Sequence, residues 1–195
     1  MNLSIGRAAL VTSILSLFTM CTPALADLRD GGLEVGPYLF HAHFDSDSGV
    51  ENSEGLGGRL GILFTKEHEL EFSVDYVETE DDFGGPFDVS LTTFKAGYVY
   101  NIAPRAPVVP LLTTGVGLQR LEISEATFFG DVEIQDETDP LVFVGFGLRF
   151  FFGHTFNIRT DAQAVAVFPD EDGSDDALVD GIFTVGVGWV LGGHR

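Results

Sequence analysis

Three features of the sequence predict an all-β fold, an eight-stranded antiparallel up-and-down barrel. Eight apolar segments of roughly 9 to 14 residues are separated by turn residues, several of them alternate apolar with polar side chains, and the connections between them are alternately short and long. A helix would repeat its apolar positions every 3.6 residues, and these segments repeat them every two.

The first 26 residues precede the pattern. Residues 1–7 are short and weakly basic, residues 8–20 form an apolar run, and Ala24-Leu25-Ala26 supplies the small side chains that a signal peptidase requires. Residues 1–26 therefore read as a cleaved secretory signal peptide and residues 27–195 as the barrel domain. The apolar run is too short to span a bilayer as a helix. A lipoprotein signal acylated on Cys21 fits less well, because Met20 stands where a small residue is wanted. Cys21 is the only cysteine, so a chain beginning at Asp27 has no disulfide, catalytic thiol or thiolate metal site.

The first segment, 33–44, contains Pro37, which cannot donate to a sheet ladder, so a bulge is expected there. The second, 55–64, ends at the short turn 65–67. In the third, 68–78, Leu70, Phe72, Val74 and Tyr76 alternate with Glu69, Glu71, Ser73 and Asp75. The fourth, 88–102, closes at 103–106, and the fifth, 107–121, carries Pro110 and a second expected bulge. The sixth, 140–152, turns at Gly153-His154 into the seventh, 155–168. There Phe156, Ile158, Ala162, Ala164 and Ala166 alternate with Asn157, Arg159, Asp161 and Gln163. The eighth runs over 181–191. The pattern leaves the parity of the first and fifth segments open.

Charge is distributed as unevenly as hydropathy. The chain has 30 acidic and 10 basic residues, a formal charge of −20, which excludes nucleic-acid binding because phosphate contacts need a positive face. With Glu78 and Asp88 counted at the margins, the four long connections (45–54, 79–87, 122–139 and 169–181) hold 22 of the 30 acids and no Lys or Arg. In an up-and-down barrel all four lie at one end, so the acids form one rim.

No apolar run after Ala26 reaches the length of a transmembrane helix, so the chain enters a membrane only as a closed sheet. Volume decides which face meets the lipid. An eight-stranded barrel has an interior just wide enough to be filled by side chains. One face bears Phe72, Tyr76, Phe94, Tyr98, Tyr100, Phe146, Phe150, Phe152, Phe156, Phe183 and Trp189, while the other offers Gly57, Gly61, Gly97, Gly115, Gly145 and Gly186 beside Arg59. The rings are therefore expected outside, in lipid. Phe64, Tyr98, Tyr100, Phe150, Phe152, Phe156 and Trp189 fall at the short-turn end, and Phe44, Tyr76 and Phe168 at the long-loop end, as the two aromatic girdles of a membrane barrel would. The expected fold is thus a transmembrane β-barrel.

The sequence resembles the small outer-membrane β-barrel family of the OmpA type. The resemblance rests on the signal ending Ala24-Leu25-Ala26, Glu34-Val35-Gly36-Pro37-Tyr38, GGRLGILFTKEHELEFSVDY at 57–76, PLLTTGVGL at 110–118 and GIFTVGVGWVLGG at 181–193. It implies the outer membrane of a Gram-negative bacterium, export through the periplasm, insertion by the barrel-assembly machinery, and a monomer. Members often end in an aromatic residue, whereas this chain ends Gly192-Gly193-His194-Arg195.

The inward face carries, by parity, Arg59, Glu69, Glu71, Asp75, Lys95, Arg149, Arg159 and Asp161, four of each sign. A buried charge is costly unless paired, so the set reads as an ion-pair network plugging the lumen. The alternative is a narrow porin-like path for small solutes. His41 and His43 share a face near the loop end and read first as polar residues at the top of the lumen. A His-x-His pair also suits a metal or a general base, but no His-x-Ser-Asn-like signature accompanies it, so a barrel enzyme acting on lipid A is disfavoured. The run Asp170-Glu171-Asp172-Gly173-Ser174-Asp175-Asp176 lacks EF-hand spacing. Diffuse Ca²⁺ at Asp170, Asp172 and Asp175, bridging to lipopolysaccharide, is the metal reading it allows. The expected role is structural or surface-interacting, without a cofactor and without catalysis. A soluble lipocalin-like carrier remains the other all-β alternative.

Overall fold

In the computed structural model, residues 28–44, 52–80, 87–127, 130–169 and 177–194 are described. The expected signal segment 1–26 lies outside them. Eight strands follow in order: β1 (Asp30–His43), β2 (Ser53–Leu63), β3 (His68–Glu80), β4 (Phe87–Asn101), β5 (Val108–Thr127), β6 (Gly130–Phe152), β7 (Phe156–Val167) and β8 (Leu178–His194). Each pairs antiparallel with its sequence neighbours, and β1 pairs with β8 from Asp30↔His194 to His43↔Gly181, closing the barrel. Closure leaves no unpaired edge within the wall, the condition a sheet must meet to sit in lipid.

The hairpin β5–β6 is longer than its hydropathy suggests. Of residues 122–139, expected to be a loop, 122–127 and 130–139 instead continue the two strands, whose pairing runs to Thr127↔Gly130 with a register shift between Ile123 and Ser124. β7 joins β6 only from Leu141, so residues 130–140 of β6 extend beyond it. Seven acids fall within residues 122–139, a composition that reads as a loop although the backbone pairs as a ladder. β8 likewise begins before residue 181, and Asp180, counted with the acidic rim, is buried on the inner face.

The expected proline bulges are absent. The β1–β8 ladder lapses at Gly36 and Pro37 and resumes at Tyr38 in unchanged register. Pro110 pairs with Leu148 of β6, and on its other side its carbonyl accepts from Ile102 in the turn, where β4 has ended. Each proline thus meets a gap in the ladder, and its missing N–H costs no bond.

Inner and outer faces differ sharply. Leu39, Leu56, Phe94, Val116, Val144 and Phe146 are each more than half exposed on the outer wall. Inside, Leu28, Leu63, Val109, Phe151 and Val190 form a buried cluster at the short-turn end. Tyr38, Phe40, Ala42, Phe44, Val77 and Leu91 form another toward the long-loop end, beside Leu141, Phe143, Val165 and Val167. The expectation that large residues all point outward is therefore corrected for Tyr38, Phe40, Phe44, Phe143 and Phe151. Glycines on facing strands make the room: a Cβ on Gly57 would lie 2.5 Å from the Tyr38 ring, and one on Gly97 2.7 Å from that of Phe143.

Candidate functional site: the charged lumen

Between the two apolar clusters the lumen is filled with charge, and the strand parity decides which side chains enter. On β3 the inward positions are Glu69, Glu71, Ser73 and Asp75; on β7 they are Asn157, Arg159, Asp161 and Gln163. Arg59 comes from β2, Lys95 from β4 and Arg149 from β6, and all eight ionic residues singled out by parity are buried.

They fall into two groups. Nearer the short-turn end, Nη2 of Arg149 lies 2.8 Å from Glu34 Oε2 and 3.1 Å from Glu69 Oε2, and its Nη1 donates to Asn101 Oδ1 at 3.1 Å. Asn157 donates to the other Glu34 oxygen at 3.4 Å. Above them Arg159 grips both oxygens of Glu71 and donates from Nε to Asp161 Oδ1 at 3.0 Å. Asp161 is shared: its second oxygen accepts from Arg59 at 2.9 Å and from Thr184 at 3.1 Å. The Arg59 guanidinium lies 4.4 Å from the centre of the Tyr38 ring, and the Tyr38 hydroxyl donates to Asp75. Asp75 in turn holds Lys95 at 2.6 Å, which donates to Gln163 at 3.1 Å. One connected chain thus runs from Glu71 to Gln163 across β2, β3, β4 and β7, with Tyr38 of β1 as a link.

Parity alone gives four charges of each sign, and the structure adds Glu34 as a fifth carboxylate, together with Tyr38, Asn101, Asn157 and Thr184 as uncharged partners. Glu34 stands in β1, where Leu33, Val35 and Leu39 on one face oppose Tyr38, Phe40 and Phe44 on the other. Both faces are apolar, so hydropathy could not assign a side. The recurrence of Gly32, Glu34 and Gly36 at every second position was the only usable signal.

The remaining candidates lie on the outer wall or beyond the described residues. Phe64, Tyr76, Tyr98, Tyr100, Phe152, Phe168 and Trp189 are exposed outward, and Phe150 and Phe156 are half-buried on the same wall. Phe44 is the exception, packed inside with Phe40 and Ala42 because the even-numbered residues of β1 face the lumen. His41 and His43 also point outward, not into the lumen, for the same reason. Asp170, Asp172 and Asp175 lie outside the described residues.

A closed antiparallel barrel with an apolar outer girdle and a charged, side-chain-filled interior defines an integral outer-membrane barrel. The chain belongs to the outer membrane protein beta-barrel domain family, whose model matches residues 12–190. Among solved structures it is similar to Neisserial surface protein A (18% identity, 82% of this chain and 99% of that one, TM-score 0.55). It is also similar to the N-terminal barrel domain of Pseudomonas aeruginosa OprF (18%, 84% and 99%, TM-score 0.52) and to the attachment invasion locus protein Ail of Yersinia pestis (18%, 83% and 99%, TM-score 0.51). At these identities the likeness is one of fold. No curated protein matches the sequence. The family places the chain in the outer membrane of a Gram-negative envelope.

Proposed function

We propose that this barrel is a closed, non-catalytic outer-membrane protein whose lumen is plugged and whose exposed rim mediates surface interaction. One observation carries the reading: the ionic groups lie between two apolar clusters, Leu28/Leu63/Val109/Phe151/Val190 at one end and Phe40/Ala42/Phe44/Val77/Leu91 at the other. A continuous water path would have to cross both apolar layers and displace paired charges, each step costly in a low-dielectric interior. The outward rings of Phe64, Tyr98, Tyr100, Phe152 and Trp189 suit the short-turn interface, and Tyr76 and Phe168 the other.

In this reading the segment 1–26 directs export through the periplasm, the assembly machinery inserts the barrel as a monomer, and both termini remain on the periplasmic side. The acid-rich long-loop end then meets lipopolysaccharide, with divalent cations between like-charged groups. Planar-bilayer recording of the purified protein is the test. The plugged reading expects a quiet baseline; steady, reproducible unitary currents would support the porin-like alternative instead.

A further inference from the structure

The outward placement of His41 and His43 gives these residues a role that the lumen does not use. They stand two apart on β1, so their Cα atoms are separated by about 6.5 Å on one face of the strand. Across the ladder from His41 stand Glu54 of β2 and Phe183 of β8, and across from His43 on the β8 side is Gly181. Gly181 puts no side chain against His43: the nearest contact of a Cβ built there is His43 Cβ at 3.9 Å. His41 and Glu54 also line a surface groove of about 290 Å³, whose other walls are Leu39, Phe40, Gly55, Phe183 and Val185.

All three polar side chains are exposed, and none has a hydrogen-bond or ionic partner among the described residues. As they stand, no three His, Cys, Asp or Glu side chains among the described residues converge on a point that could hold a metal. His41 stands across the ladder from Glu54 and two residues from His43 on the same face, so the three side chains are neighbours whose rotamers decide whether they converge.

We propose that His41 and His43, with Glu54 across the ladder, chelate a divalent transition metal ion of the Zn²⁺, Cu²⁺ or Ni²⁺ type at the long-loop boundary of the barrel wall. Two imidazole nitrogens and one carboxylate oxygen suit these ions and not Ca²⁺ or Mg²⁺, which take oxygen ligands. Water completes the coordination, since the site opens to solvent. Placing the ion outside the cell rests on the orientation proposed above; the chelate itself does not.

The test uses the full folded barrel in detergent with Cu²⁺ as probe, followed by calorimetry and by electron paramagnetic resonance. The expected result is one saturable site with hyperfine splitting from two nitrogens. Replacing either histidine, His41→Ala or His43→Ala, should lower affinity by about 100-fold, as a chelate becomes a single ligand. Glu54→Gln should weaken it less, and His154→Ala, at the opposite end, should leave it unchanged. Heat-modifiable gel mobility confirms that each variant is folded. Absence of saturable binding, binding indifferent to both histidine replacements, or displacement of the copper by excess Ca²⁺ would each overturn the proposal, the last by locating the ion on the acidic loops.

Discussion

Arg149 of β6 and Glu34 of β1 meet in the lumen with Nη2 2.8 Å from Oε2, and the same nitrogen lies 3.1 Å from Glu69 of β3. One guanidinium thus ties three strands together and separates two carboxylates that would otherwise face each other without a cation. Arg149→Met removes the cation and leaves both carboxylates buried, and it is predicted to destabilise the barrel by about 3–5 kcal/mol. Urea unfolding in lipid vesicles measures this. Adding Glu34→Gln and Glu69→Gln to the same chain should recover most of the loss, because removing a whole ionic group is far cheaper than breaking it.

Tyr38 makes two separable contributions, a ring beneath Arg59 and a hydroxyl on Asp75. Tyr38→Phe keeps the first and deletes the second. A cost of about 1–3 kcal/mol is expected for the carboxylate oxygen left short of a donor. Tyr38→Ala should cost more, since it also vacates the space that Gly57 and Gly186 leave for the ring. The two variants compared in one unfolding series separate hydrogen bonding from packing.

Neighbouring glycines on β2 should respond in opposite ways. A Cβ on Gly57 meets the Tyr38 ring at 2.5 Å and an Asp75 oxygen at 2.8 Å, whereas one on Gly58, facing outward, has nothing within 4 Å. Gly57→Val is predicted to prevent formation of the compact, fast-migrating form on unheated gels, and Gly58→Val to leave it intact. Equal behaviour of the two would mean that the inner and outer faces of β2 are assigned the wrong way round.

The outer wall offers a depth-dependent check. Phe146 lies midway along the wall and is 64% exposed, while Phe64 lies at the short-turn end and is 60% exposed. Their similar exposure makes a pair that differs in depth. Phe146→Arg should cost about 2–4 kcal/mol in vesicles and Phe64→Arg about 0–1 kcal/mol.

The parts of this architecture that were readable in the sequence are those where water and lipid, or lumen and lipid, pull residue types to opposite faces. β3 and β7 segregate Leu70, Phe72 and Val74 from Glu69, Glu71 and Asp75, and Phe156 and Ile158 from Arg159 and Asp161, so their period of two is explicit. β1 is different: Leu33, Val35 and Leu39 face out while Tyr38, Phe40 and Phe44 face in. With both faces apolar the hydropathy signal cancels, which hid Glu34 and Tyr38 from the ionic set and misplaced Phe44, His41 and His43. Residues 122–127 and 130–139 are hidden for another reason: their many acids read as a loop, although their backbone continues the β5–β6 ladder. The partners Asn101, Asn157 and Thr184 are uncharged, and only the closed register brings them to the arginines and carboxylates they serve.

Trp189 offers the most direct test of the orientation on which all of this depends. It is the only tryptophan in the chain, it is 41% exposed on the outer wall of β8, and it packs against Phe156 at a centroid separation of 5.7 Å near the short-turn end. With the barrel refolded into vesicles of brominated phospholipid, its fluorescence should be strongly quenched, more by bromines near the headgroup than by those at the chain terminus. Fluorescence indifferent to bromine at every depth would place this aromatic wall away from lipid and contradict the membrane barrel.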